Sequence, residues 1–251
     1  MFRIKGIAIL GTLLMLTVLS DQQAVAQTNV FNAPTTDVVG RDQAYLEFQY
    51  LRQVPDNSAT NQRTSIYAPR AVVGLPGNVE VGANVSFVRT SGLDQTNAFF
   101  APNVKWKFYD NEEDGVAASG GGILFTPVNN RAGSDTFGMV YTNVSKKVQA
   151  TYGPRLTAGV YGIVGSTDRQ FSGPRAGAIV GYEQPFHPRV SIAADWLSGK
   201  NGFGYFTPGV AVKLPKDSQL KLGYSFGNDT LAGVNRDKND RFLTVKYGIS
   251  F

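Results

Sequence analysis

From about residue 42 the chain repeats one pattern, in which apolar and polar residues alternate with a period of two between clusters of turn formers. In VEVGANVSFVR, 79–89, one face carries Val79, Val81, Ala83, Val85 and Phe87, and the other carries Glu80, Gly82, Asn84 and Ser86. NAFFAPNVKWKFYD, 97–110, sets Phe100, Pro102, Val104, Trp106 and Phe108 against Asn103, Lys105 and Lys107. RVSIAADWLS, 189–198, and QLKLGYSFG, 219–227, behave alike, each with one apolar face and one small or polar face. Side chains on a strand point alternately to its two faces, so this period predicts β-strands; a helical period hardly appears.

Twelve such runs are expected, at 42–53, 63–75, 79–90, 97–109, 116–126, 136–149, 154–165, 173–185, 190–198, 203–214, 219–227 and 241–251. GGG at 120–122 and the mixed pattern of VYTNVSKKV, 140–148, leave the facing of the fifth and sixth open. The connections alternate in length. Short ones (LPGN 75–78, DNEEDG 110–115, ATYG 150–153, FHPR 186–189, PKDS 215–218) interleave with a set longer on the whole, ending in NDTLAGVNRDKND, 228–240. An even number of strands with tight turns at one end and longer loops at the other predicts an all-β, transmembrane antiparallel up-and-down barrel. YAPRAVVGLPGNVEVGANVSF, 67–87, also aligns without gaps on FTPGVAVKLPKDSQLKLGYSF, 206–226, which makes the hairpin the repeated unit of a meander.

Aromatic placement decides which face is outside. Alternating strand directions put Tyr50, Tyr67, Phe87, Phe100, Trp196, Phe206, Tyr224 and Phe226 near the loop end of the apolar face. Trp106, Phe108, Tyr182, Tyr247 and Phe251 fall near the turn end. Rings in two bands separated by Val, Ala and Leu suit the two membrane interfaces, whereas a soluble core would hold its largest rings at mid-strand.

Composition agrees. Charged residues are 17% of the chain, below the usual quarter, and there is no cysteine to form a stabilising disulfide. The N-terminus reads as a secretory signal peptide over 1–26: the basic MFRIK, an apolar run of 14 residues from Gly6 to Leu19 (too short for the roughly 20 a spanning helix needs), and Ala24-Val25-Ala26 as cleavage site. Cleavage leaves residues 27–251 with 22 basic and 18 acidic side chains, net +4. That surplus is scattered through the strands and gives no argument for a nucleic-acid partner.

The chain ends in RFLTVKYGISF, 241–251, where Leu243, Val245, Tyr247, Ile249 and Phe251 alternate to the last residue. This resembles the terminal strand of bacterial outer-membrane β-barrels, whose last residue is typically Phe. The resemblance implies a Gram-negative outer-membrane location, outer-membrane lipid as surroundings, recognition by the barrel assembly machinery, and closure of the barrel against the first strand. GYEQPF, 181–186, and GYFTPGVAVKLP, 204–215, carry a looser similarity to transporter-like barrels associated with aromatic-compound degradation.

Candidate chemistry is sparse. The one histidine, His187, lies in the FHPR turn at the expected periplasmic end, away from where barrel enzymes of the outer membrane act, and without Cys there is no thiol nucleophile. Asn235, Asp237, Asn239 and Asp240 lack the glycine and distal glutamate of a calcium loop. Gly199-x-x-Gly202-x-Gly204 and Gly120-Gly121-Gly122 lack the strand-to-helix setting of a phosphate cradle. Neither an enzyme nor a cofactor is expected. The informative residues are those opposite the lipid face: Glu47, Arg70, Glu80, Lys105, Lys107, Arg155, Arg175, Glu183, Asp195, Lys213, Lys221 and Lys246 are expected to line a lumen, eight basic against four acidic.

Twelve strands fall between the roughly 8 whose interior side chains can fill and the 16 that leave a wide channel. The expectation is therefore a pore or passive transporter for small solutes with a weak anion preference, and the alternative is a closed barrel with a structural or surface-recognition role. Residues 27–41, QTNVFNAPTTDVVGR, either extend into the periplasm or fold back as a plug, leaving 42–251 as the barrel.

Overall fold

A computed structural model describes residues 28–54, 63–92, 96–129, 135–165, 174–228 and 241–251. The signal-peptide region, the Asn235 to Asp240 cluster and most of the longer connections lie outside the described residues. Twelve strands are present: β1 (Ala44–Gln53), β2 (Thr64–Leu75), β3 (Val79–Thr90), β4 (Thr96–Asn111), β5 (Val116–Pro127), β6 (Phe137–Lys147), β7 (Arg155–Gly165), β8 (Ala176–His187), β9 (Val190–Leu197), β10 (Tyr205–Leu214), β11 (Ser218–Gly227) and β12 (Arg241–Ser250).

Each strand pairs antiparallel with its neighbours in sequence, and β1 pairs with β12, so the sheet closes into a barrel without an edge. At the seam Tyr45 stands opposite Ser250 and Gln53 opposite Phe242, and the Ala44 and Phe251 backbones exchange hydrogen bonds of 3.1 and 2.9 Å. The tight turns use left-handed backbone: Gly77 and Asn78 after β2, and Lys216 and Asp217 after β10, all have φ between 48° and 80°. Strand ends differ from the expected ones where the ladder runs on. β4 continues to Asn111 through an irregularity between Lys107 and Tyr109, and β8 continues to His187, again irregularly after Pro185, so that only Pro188 and Arg189 remain of the FHPR turn.

The outward face is predominantly apolar. Leu46, Val73, Val104, Val140, Val160, Val180, Ile192 and Leu222 are exposed at mid-strand. Phe87, Phe100, Trp196, Phe206 and Phe226 are exposed towards one end, and Trp106, Phe108, Tyr182, Tyr247 and Phe251 towards the other. Within the first band Tyr50 and Tyr67 lie 5.0 Å apart and Tyr224 and Phe226 4.9 Å; in the second, Trp106 and Phe108 lie 5.6 Å apart. Such a surface is stable only against hydrocarbon flanked by two polar interfaces. The two undetermined strands are now oriented: Ser119 and Phe125 of β5, and Phe137, Met139, Tyr141, Asn143 and Ser145 of β6, face inward, while Leu124, Val140 and Val144 face out.

Candidate functional site

The lumen is the site, and it divides into a polar region gripping the chain's own N-terminal segment and an aromatic chamber beside it.

Residues 28–40 lie inside the barrel. They form a short hairpin: the Val30 N–H donates to the Ala33 carbonyl (2.9 Å), the Thr35 N–H to the Thr28 carbonyl (3.1 Å), and Asn29 bridges Pro34. Thr28, Val30, Phe31, Ala33, Thr35, Thr36 and Val39 are buried. Small residues on the wall make the room. A β-carbon at Gly181 would come within 3.2 Å of Val30, and one at Gly74 would overlap the Val39 and Gly40 carbonyls.

Inward charges of the strands meet this hairpin's exposed backbone. Asp195 Oδ2 on β9 accepts the N–H groups of Phe31, Asn32 and Ala33 at 2.8, 2.5 and 2.6 Å. Three successive amides converging on one oxygen suit an anion, which is how a buried carboxylate is tolerated without a cationic partner. Lys221 on β11 donates to the Asn29 and Val30 carbonyls at 2.6 and 3.1 Å. Lys105 on β4 donates to the carbonyls of Thr28, Thr35 and Asp37 at 3.0, 3.4 and 2.5 Å, and pairs with Glu80 at 3.2 Å. Glu80 in turn accepts the Val39 N–H at 3.0 Å. Arg155 on β7 bridges Asp37 of the hairpin and Glu183 of β8. Burial acts to raise the Asp37 carboxyl, but the Arg155 guanidinium, helped by Lys105 and Lys107, holds it below its ordinary value. Neutral contacts complete the grip: Asn143 to the Pro34 carbonyl (2.7 Å), Thr36 to Ser145 (2.9 Å) and Asn32 to Thr207 (2.9 Å).

The twelve residues expected to line the lumen therefore separate. Glu47, Glu80, Lys105, Glu183, Asp195, Lys221 and Lys246 are buried inside, with Arg70 and Arg155 mostly covered beside them. Arg70 lies 3.6 Å from Glu80 and donates to the Thr28 hydroxyl at 2.6 Å; Lys246 lies 3.5 Å from Glu47. The other three sit at the two mouths. Lys107 pairs with Asp110 at the turn end, Lys213 is half-buried one residue before the end of β10, and Arg175 is exposed, preceding β8 at the loop end. The interior set now counts five basic groups (Arg70, Lys105, Arg155, Lys221, Lys246) against five acidic (Asp37, Glu47, Glu80, Glu183, Asp195). Asp37, supplied by the hairpin, is the anion missing from the strand pattern.

Towards the loop end the inward face is not small or polar, as the alternation suggests, but aromatic. Phe125 stacks on Phe137 with centroids 4.8 Å apart, Phe203 meets Phe125 at 5.7 Å and Tyr161 at 6.4 Å, and Tyr205 meets Phe242 at 5.9 Å. With Leu51, Ile66, Met139 and Leu197, the rings of Phe125, Phe203, Tyr205 and Phe242 wall a cavity of about 290 Å³, floored by Asn29, Phe31 and Asn32 of the hairpin and by Lys246. The signal for this chamber was a run of rings on the wrong parity, Phe125, Phe137 and Phe242, each offset by one from the lipid-facing positions of its strand.

His187 is exposed, and its Nδ1 accepts the Arg189 N–H at 3.2 Å within the turn. Among the described residues no three His, Asp or Glu side chains gather as a metal site would require.

A closed antiparallel barrel of twelve strands, apolar outside and polar within, defines a membrane-barrel fold. The chain shares it with an outer membrane channel from Pseudomonas putida F1: the crystal structure of that channel matches with a TM-score of 0.55 at 14% identity, over 85% of this chain and 96% of that one. A Rhodopseudomonas blastica porin variant aligns over 83% of this chain and 99% of its own, at 11% identity and a TM-score of only 0.26. No protein-family model matches the chain, and no curated protein matches it in sequence.

Proposed function

We propose that the chain is an outer-membrane pore or passive transporter for small solutes. The observation that carries this reading is the pairing of a lipid-facing exterior with a cavity of about 290 Å³ inside the closed wall. Its rings and its Lys246 floor favour a solute with an apolar body and a polar or anionic end. Residues 28–40 act in this reading as a plug. The weak anion preference belongs to Arg70, Lys105, Lys107 and Arg175 with the other basic groups, because rings of Lys and Arg favour anions in a narrow pore. Leu243, Val245, Tyr247, Ile249 and Phe251 serve as the signal read by the barrel assembly machinery, and the partners are membrane lipid and solute.

Single-channel recording of the refolded chain in a planar bilayer tests it, with discrete conductance steps expected and a small anion-favouring reversal potential under a salt gradient. A second reading, a closed barrel with a structural or surface-recognition role, draws on the occupied lumen. It requires that no stable conductance appear.

A further inference from the structure

The hairpin of residues 28–40 is fastened differently from everything else in the barrel. The strands are joined by continuous backbone ladders that close around the circle without its help. The hairpin's own backbone bonds close on itself, and what grips it is a ring of side chains drawn from β2, β3, β4, β6, β7, β9, β10 and β11. Two of those grips, Lys221 and Lys105, hold neutral peptide carbonyls, ligands that water or an anionic solute can replace one for one. The strongest convergence is at Asp195, where one oxygen holds three amides while the other, Oδ1, is buried with no partner. A carboxylate with an unfilled acceptor inside a lumen accepts a water or solute donor readily, and such a donor competes with the amides.

The hairpin also carries Asp37, which balances the interior charge. Its exit would leave five basic groups facing four acidic ones and would strip Lys105 and Lys221 of their carbonyl ligands.

We infer that residues 28–40 are a withdrawable stopper latched at Asp195, Lys105 and Lys221, and that withdrawal turns an electrically balanced lumen into a cation-lined passage for anions. The inference rests on the pore reading and assigns it a closed state, an open state and the groups that separate them. The latch residues hold the hairpin when it is in place and face the solute when it is out.

The test is a reversible lock on the full chain. The Thr36 and Ser145 hydroxyl oxygens lie 2.9 Å apart, both residues are buried, and the sequence contains no cysteine. Thr36→Cys with Ser145→Cys places two sulfurs where a disulfide of about 2.05 Å can form with no competing thiol. The oxidised protein is expected to lose its conductance in a planar bilayer, and reduction to restore it together with an anion-favouring reversal potential. Asp195→Asn, without the lock, is expected to open more often than the parent chain. Equal conductance in the oxidised and reduced forms overturns the stopper while leaving the pore reading intact. Silence of the reduced form and of Asp195→Asn, with heat-modifiable migration showing an intact barrel, removes the pore reading and the stopper with it.

Discussion

The ring of Phe31 lies directly over Gly223 of β11: a β-carbon at that glycine would sit 2.8 Å from Cε1 and 3.0 Å from Cδ1. Gly209 on β10 receives the same ring from the side, its absent β-carbon 2.4 Å from Cζ. The wall thus has a glycine cradle where an apolar side chain of the hairpin docks, and glycine in a strand commonly marks this kind of close approach.

Gly223→Ala should therefore dislodge the hairpin without breaking the sheet, because the nearest atoms to the new methyl are side-chain atoms of Phe31 and Thr207. Hydrogen exchange at the amides of residues 31–33 should accelerate at least several-fold. Adding Phe31→Ala should remove the clash, so the double variant should show non-additive behaviour characteristic of touching residues. Independent, additive effects would mean the ring does not sit there.

Val104 is 47% exposed on the outer face, opposite Val81 and Gly122 in the ladders on either side. Val104→Arg should destabilise the refolded barrel by about 2–4 kcal/mol if it lies near the bilayer midplane. Lys107→Arg, three residues on and facing the other way beside Asp110, should cost far less. Equal unfolding free energies in denaturant titration would refute the assignment of outside and inside.

Phe251 closes the seam through its backbone and exposes its ring outward, while Phe186 is exposed at the far end of β8 close to a turn. Deleting Phe251 should sharply reduce the amount of heat-modifiable protein recovered from outer membranes, and Phe186→Ser should leave it near the parent level. Similar recoveries would exclude a role for the terminal aromatic in assembly.

Lowering pH should release the Asp37–Arg155 contact only in strong acid. The Asp37 carboxyl is held below its ordinary 3.8, so its contribution to docking is fully present above that value and is lost as pH falls through the depressed one. Once corrected for the intrinsic pH dependence of amide exchange, opening at residues 35–39 should stay constant from neutral pH to about 4 and rise below it. Arg155→Gln should shift the rise upward, since the guanidinium is what opposes the effect of burial. A profile that does not respond to Arg155→Gln would show that the ion pair does not control docking.

Much of the wall was legible because lipid imposes a rule on every outward position. Val81, Val104, Ile192 and Leu222 had to be apolar, and the alternation they create gives strand number, facing and neighbour order together. Phe125, Phe137 and Phe242 escaped that rule: an inward side chain answers to whatever fills the lumen, and the alternation of a single strand carries no record of that filling. Of the excess of four positives read along the strands, one is matched by Asp37, which belongs to no strand and meets Arg155 across 118 positions of sequence, and three, Lys107, Arg175 and Lys213, lie at the mouths. The hairpin itself, VFNAPTTDVV over 30–39, has no period of its own, and its shape comes from Asp195, Lys105 and Lys221, all distant in the chain. Residues at the mouths were misplaced where ladders ended earlier or later than the turn formers suggested, as at Arg175, which precedes β8.

The seam between β1 and β12 joins the two ends of the barrel sequence, while every other pairing joins neighbours. Bringing such distant segments together has the greatest loop-closure cost of any pairing in the molecule, so it is the natural last event of folding. Residues 28–40 are attached directly to β1, at the edge of that final gap. A wall that zips shut beside them can envelop its own leader from the side, so nothing has to be threaded through a finished mouth. On the pore reading the protein would then emerge from assembly already sealed, and permeability would be a property acquired only afterwards, a sequence of events that would spare the cell a leak at the moment each new copy enters the membrane.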